Sequence, residues 1–466
     1  MGMQSMVTKG WGESKKTWHI AGPAILTGVF QFSLSFVTVA FVGHIGEVEL
    51  AAVSVVQNVI EGFAFGVLLG MGSALETLCG QAVGAGQLNM LGIYMQRSWV
   101  ITGVTALILT PFYVFTSPIL KLLRQSENIS VTAGKYALWV IPQLFAYAMN
   151  FPLQKFYQAQ SKVWVMTMIA GVVLAIHALL NWIFVTKLDY GLGGAAIVGN
   201  ISWWLINLAQ MVYLMSGFFP ESWTGFSWLA FTSLSGFIKL SLASAVMLCL
   251  ELWYYTAVII LVGCLKNPEV ALSAISICMN YQLWTLMIAL GFTVAVSVRV
   301  SNELGAGHPK AAKFAVIVSV ATSSFLGLIF MAVALIARKQ FPKFFSDQPD
   351  VIRETSKLGY LLGVTMLINS IQPVLSGVAI GAGWQSLVAF INIGCYYLLG
   401  LPVGAVLGFK LKLNAMGIWL GMLVGSILQT IILLCITFKT QWQKEALQAE
   451  ERIKTWGGAI EPRSSP

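Results

Sequence analysis

Long uncharged apolar runs alternate with short polar breaks along this chain, and that rhythm predicts helices on the scale of a lipid bilayer. A membrane-spanning helix needs about 20 predominantly apolar residues. Twelve stretches meet that requirement, at 20–43, 50–78, 98–116, 136–154, 163–186, 192–217, 238–263, 270–298, 314–337, 358–380, 386–409 and 413–438. From Leu358 to Phe409 there is no Asp, Glu, Lys or Arg, so two helices share that stretch, with Gly381-Ala382-Gly383 as the turn between them.

The pattern also repeats. Leu50-Ala-Ala-Val-Ser-Val-Val-Gln-Asn58 matches Leu272-Ser-Ala-Ile-Ser-Ile-Cys-Met-Asn280, Gly84-Ala85-Gly86 matches Gly305-Ala306-Gly307, and Val42-Gly43 matches Val262-Gly263, all about 220 positions apart. Ordered matches at one spacing are the signature of internal duplication. The expected fold is therefore all-α, a polytopic membrane protein whose twelve transmembrane helices form two pseudo-symmetric six-helix bundles. Because each half has an even number of spans, both share one membrane orientation, as in transporters built from parallel repeats. The expected organisation is a cytosolic N-terminal segment 1–19, a first lobe 20–217, an inter-lobe loop 218–237, a second lobe 238–438 and a cytosolic tail 439–466. Lys and Arg are in modest excess on the side bearing both termini, which favours that side as cytosolic.

Composition agrees with this picture and narrows the function. Of 466 residues, 57% are hydrophobic and 10% charged, against roughly 25% charged in a soluble domain. The net charge of +9 reads as contact with phospholipid rather than with nucleic acid, since no long basic run is present. The six cysteines form no CxxC pair, so neither a metal site nor a disulfide framework is expected. The loops at Gly80–Gly86 and Ser301–His308 lack the Lys-Ser/Thr of a phosphate loop and read as tight turns.

Only three carboxylates fall inside the expected spans, Glu61, Glu76 and Glu251. An ionisable group in the membrane is expensive to keep, and by default marks a proton or substrate site. Glu251 lies mid-span and is the best proton-carrier candidate, with Tyr255 one turn away. Its counterpart in the first half is Gln31, so the halves are chemically unequal. Glu76 reads as an acid that orders a helix end, and Glu61 is open between structural and functional roles. Asn369, Gln372 and Ser376 share one face of the tenth helix beside Pro373, and Asn280, Tyr281, Asn392 and Tyr396 are candidates to complete a polar pocket. His177, alone on the fifth helix, reads as a packing histidine. No carboxylate pair, HExxH or nucleophile elbow was found, which places an embedded enzyme well behind a transporter.

Four motifs carry a family resemblance: Val42-Gly-His-Ile-Gly46, Cys79-Gly-Gln-Ala-Val-Gly-Ala-Gly86, Ser297-Val-Arg-Val-Ser-Asn-Glu-Leu-Gly-Ala-Gly-His-Pro309 and Gln372-Pro-Val-Leu-Ser-Gly-Val-Ala-Ile-Gly-Ala-Gly-Trp-Gln385. They resemble the multidrug and toxic compound extrusion (MATE) transporters, plant detoxification branch. The resemblance implies proton-coupled antiport of organic solutes such as flavonoids, alkaloids or organic cations, by alternating access. It implies that Glu251 is the proton and substrate site, with no cofactor beyond the coupling proton. Many plant members carry an aspartate where this chain has Asn369, a departure that removes the usual acidic partner of Glu251. The Asn369 form with Gln372-Pro373 looks most similar to members at the vacuolar membrane, which is favoured over the plasma membrane. The expected partners are a small organic substrate and membrane lipid, with the protein a monomer. A passive channel and a lipid flippase are the rival readings.

Overall fold

The computed structural model describes residues 2–266 and 268–457, so the last nine residues of the expected tail lie outside it. No strand occurs among the described residues. Eleven helices there are long and apolar enough to cross a membrane. They are α1 (Met3–Val42), α2 (Glu47–Gly84), α3 (Leu88–Val114), then, after the two-piece α4 (127–159), α5 (Val163–Lys187), α6 (Gly191–Met215), α7 (Leu234–Gly263), α8 (Pro268–Gly305), α9 (Pro309–Ile336), α10 (Pro349–Ala382), α11 (Gln385–Lys410) and α12 (Asn414–Lys439).

The remaining expected span, 136–154, is present as a broken rod. Here α4 runs as Glu127–Trp139 and then Ile141–Ala159, interrupted at Val140. Pro142 opens the second piece. Lacking an N–H, proline fits a helix start and cannot continue a helix already running. The polar N-terminal segment is itself helical from Met3. Glu13 there accepts two bonds from the Arg299 guanidinium, at 2.8 and 3.1 Å, and Trp18 meets Phe292 edge-on. A final amphipathic helix, α13 (Trp442–Gly457), closes the described chain.

The chain packs as two units. One holds Leu26–Ala245 with the described residues from Glu450 on, and the other holds Met1–Ile25 with Val246–Ala449. The first has an aromatic core in which Tyr147 meets Phe65 and Trp203 edge to face. In the second, Tyr254 stacks on Tyr396 with centroids 4.3 Å apart and donates to Met422 O at 2.9 Å. Gly404 and Gly421 let α11 and α12 touch backbone to backbone, since a Cβ at Gly421 would collide with Gly404.

The repeat shows in local geometry as well as in sequence. Gly86 ends α2 and Gly307 follows α8, each with φ of 75°. The residue after each bonds back to close the helix, Gln87 to Ala82 O and His308 to Glu303 O, both at 2.9 Å. Glycine alone adopts that left-handed cap without strain. Widened π-helical turns occur at Val56–Glu61 in α2, Trp182–Lys187 in α5 and Ile393–Gly400 in α11. Such turns interrupt the regular hydrogen-bond ladder and are frequent where helices carry function.

Candidate functional site

Within the second unit, α7, α10, α11 and α12 bring a polar cluster around Glu251. Ser376 Oγ donates to Glu251 Oε1 at 2.9 Å, Gln372 Nε2 at 3.2 Å and Asn392 Nδ2 at 3.4 Å. Gln372 also donates to Ser376 Oγ at 3.0 Å. All three donors converge on one carboxylate oxygen, and none of these bonds uses Oε2. Their neutrality matters: hydrogen bonds to an ionised acceptor are strong, yet among the described residues no cation forms an ion pair with Glu251.

The helices explain the convergence. Gln372 and Ser376 are one turn apart on α10, so both reach the same level of α7. Asn369, almost a turn earlier on α10, accepts from Tyr255 Oη at 3.0 Å, and Tyr255 is one turn after Glu251. The two helices thus meet through two polar rungs, one centred on the acid and one on a phenol. Asn369 is buried with its Nδ2 unbonded. Pro373 follows Gln372 inside α10, and its carbonyl accepts from Thr293 of α8 at 2.9 Å.

Behind the acid stands Gln429 of α12, fully buried, which donates to Asn392 Oδ1 at 2.9 Å and holds that amide toward α7. Sequence reasoning missed it, because a lone glutamine in an apolar run carries no charge to attract attention.

Other expected site residues stand apart from this cluster. Asn280 is occupied with Ser276 O of its own helix, and Tyr281 donates to Phe341 O. Tyr396, by contrast, is one turn after Asn392 on α11 and is buried against Tyr254, which puts it at the edge of the cluster. In the first unit, Gln31 has an unbonded buried Nε2. Glu76 forms a buried ion pair with Lys155 at 3.0 Å, and Glu61 lines a small cavity with His177.

A family model described as MatE matches the chain twice, over residues 23–183 and 243–406. The two matches begin at the spacing of the internal repeat. The chain belongs to the MATE family of transporters. As a MATE transporter it is an integral, multi-pass membrane protein, and its homologues are transporters rather than enzymes. It is 57% identical to Protein DETOXIFICATION 33 of Arabidopsis thaliana over 96% of this chain and 93% of that one. Protein DETOXIFICATION 32 of the same plant is 56% identical over 96% and 86%. Among solved structures, the eukaryotic MATE transporter AtDTX14 superposes with a TM-score of 0.90 at 34% identity, covering 96% of this chain and all 100% of that one. The Vibrio cholerae MATE transporter VcmN in its bent form shares the fold, with a TM-score of 0.81 at 18% identity over 95% and 99% of the two chains.

Proposed function

We propose that this MATE transporter is a proton-coupled antiporter that exports or sequesters organic metabolites and xenobiotics by alternating access, with Glu251 as the shared proton and substrate site. The observation that carries the reading is the one-sided bonding of Glu251: three neutral donors hold Oε1, and Oε2 is left for a proton or a substrate group. Ionised, the acid draws Ser376, Gln372 and Asn392 inward. A proton on Oε2 removes the charge that strengthens those bonds, each worth about 1.5–3 kcal/mol to an ionised group, and releases the substrate. Deprotonation on the cytosolic side restores the loading form.

The driving force suffices. A gradient of about 2 pH units supplies about 2.7 kcal/mol per proton, enough for about 100-fold accumulation of a neutral solute at one-to-one exchange. The names of the curated relatives, DETOXIFICATION 33 and 32, support a detoxifying role. Flavonoids, alkaloids and organic cations are the proposed cargo, the vacuolar membrane the proposed site, and the monomer the working form. The six-helix lobes at 20–217 and 238–438 are its proposed moving parts.

Proteoliposomes with an imposed pH gradient test the reading, with organic cations and anionic flavonoid conjugates as cargo. Saturable uptake against the proton flow that collapses on adding a protonophore is the expected result. Uptake that survives the protonophore and follows the electrical potential would instead identify a channel.

A further inference from the structure

The first unit has a polar interior of its own, which the antiport reading does not use. Glu61 closes the widened π-helical turn of α2. It is only 7% exposed, and its Oε1 has no hydrogen-bond partner. That oxygen's side chain lines a cavity shared with Thr38 of α1, Tyr136 and Gln143 of α4, and His177 of α5. A buried carboxylate oxygen with no partner is costly, and natural cores rarely tolerate one without a use.

His177 supplies the second observation. Thr38 donates its hydroxyl proton to Leu34 O at 3.1 Å. Its oxygen can therefore only accept from His177 Nε2 at 2.9 Å, and Nε2 also lies 2.9 Å from Leu34 O. Two acceptors face Nε2, so Nε2 carries a proton. On the other edge of the ring, Nδ1 is 2.6 Å from Ser202 Oγ, and that hydroxyl is 2.8 Å from Val198 O. Ser202 has one proton and two claimants. If it gives the proton to Val198 O, Nδ1 must be protonated and the ring is an imidazolium. If it gives the proton to Nδ1, the ring is neutral. Rotation of one hydroxyl therefore accommodates either charge state, with no heavy atom moving, once a proton is added to or lost from Nδ1.

We propose that Glu61 and His177 form a second protonation site, a couple in the unit that lacks Glu251, which takes up one proton and holds it on either Glu61 Oε1 or His177 Nδ1. Uptake forms one O–H or N–H bond as a hydronium gives up its proton, and release breaks it. No electron changes place. With the proton aboard, the cavity is neutral overall; without it, one negative charge stays buried. The cavity's size selects the ligand: with room for about one water molecule, it admits a proton and a water wire but no organic cargo.

The titratable groups that face Glu61 are consistent with this. From α3 and α4 they are the phenols of Tyr113, Tyr136 and Tyr147, and from α5 it is His177. From α1 the lining offers Ser35 and Thr38, and from α6 Trp203. Tyr113 Oη is buried and unbonded as well. Among the described residues no Lys or Arg forms an ion pair with Glu61, unlike Glu76 with Lys155.

Infrared difference spectroscopy on the full chain in nanodiscs, recorded on acidification, reads buried carboxyl protonation directly and needs no transport. Its outcome is therefore independent of the antiport reading at Glu251. Glu251→Gln protein is expected to keep a buried protonated-carboxyl band, which the added change Glu61→Gln removes and Glu61→Asp retains. His177→Gln leaves the proton one residence only, so the band is expected to grow. The proposal is overturned if Glu251→Gln alone abolishes every buried carboxyl band, if the double variant keeps it, or if His177→Gln leaves its amplitude unchanged.

Discussion

Glu76 and Glu251 are both intramembrane glutamates on long apolar helices, yet the chain surrounds them in opposite ways. Glu76 is buried against the ammonium of Lys155 at 3.0 Å. Glu251 is met on Oε1 by three neutral donors, and among the described residues no cation pairs with it. An ion pair fixes the charge state of both partners, because removing either proton or charge strands the other in a low-dielectric interior. Neutral donors stabilise a carboxylate without locking it. The difference separates an acid that holds the fold from one that is free to exchange protons, and presence inside a membrane helix does not by itself distinguish them.

That contrast breaks most visibly in stability. Glu76→Gln leaves the Lys155 ammonium buried without its counter-charge, which costs about 3–5 kcal/mol. Thermal unfolding in detergent is expected to show a large drop in Tm. The isosteric Glu251→Gln keeps an oxygen where Ser376 donates and is expected to shift stability by less than about 1 kcal/mol. Equal losses for the two would erase the distinction.

Transport sharpens it next. Ser376→Ala removes the shortest of the bonds to Glu251 and is expected to lower the initial rate of gradient-driven uptake about tenfold, the equivalent of about 1.4 kcal/mol. Asn369→Ala, which removes the bond from Tyr255, is expected to cost less than about threefold, or about 0.7 kcal/mol. A reversed order in initial-rate assays would move the working centre of the pocket from the acid to the Tyr255 rung. The smallest effect is one of preference. Asn369→Asp places a second carboxyl group on the rung next to Glu251, and competition assays are expected to show cations gaining a few-fold over anionic conjugates.

Much of this architecture was legible in the sequence, for a physical reason. Lipid demands about 20 apolar residues per span, so spans write themselves into composition, and the duplicated Gly84-Ala85-Gly86 and Gly305-Ala306-Gly307 turns mark the repeat. The break in α4 was less visible, because Pro142 sits inside an otherwise apolar run and only the structure shows the helix restarting there. In the pocket, Glu251 announced itself by charge, and Gln372 with Ser376 by their helical spacing. Asn280 and Tyr281 did not join it, since nothing in a sequence tells which face of α8 turns toward α7. Gln429 stayed hidden because a glutamine that positions another amide looks no different from one that merely glues helices together. His177 read as a packing residue, and only its bonds to Thr38, Leu34 and Ser202 reveal a ring that its neighbours can accept with or without an added proton.

The central claim, that Glu251 is the exchangeable acid through which protons drive transport, meets its most direct test in proteoliposomes carrying Glu251→Gln protein of verified thermal stability. With an imposed pH gradient, gradient-driven uptake is expected to fall to the level of empty vesicles, while Glu251→Asp retains part of it. Undiminished, protonophore-sensitive uptake by Glu251→Gln protein would contradict the account.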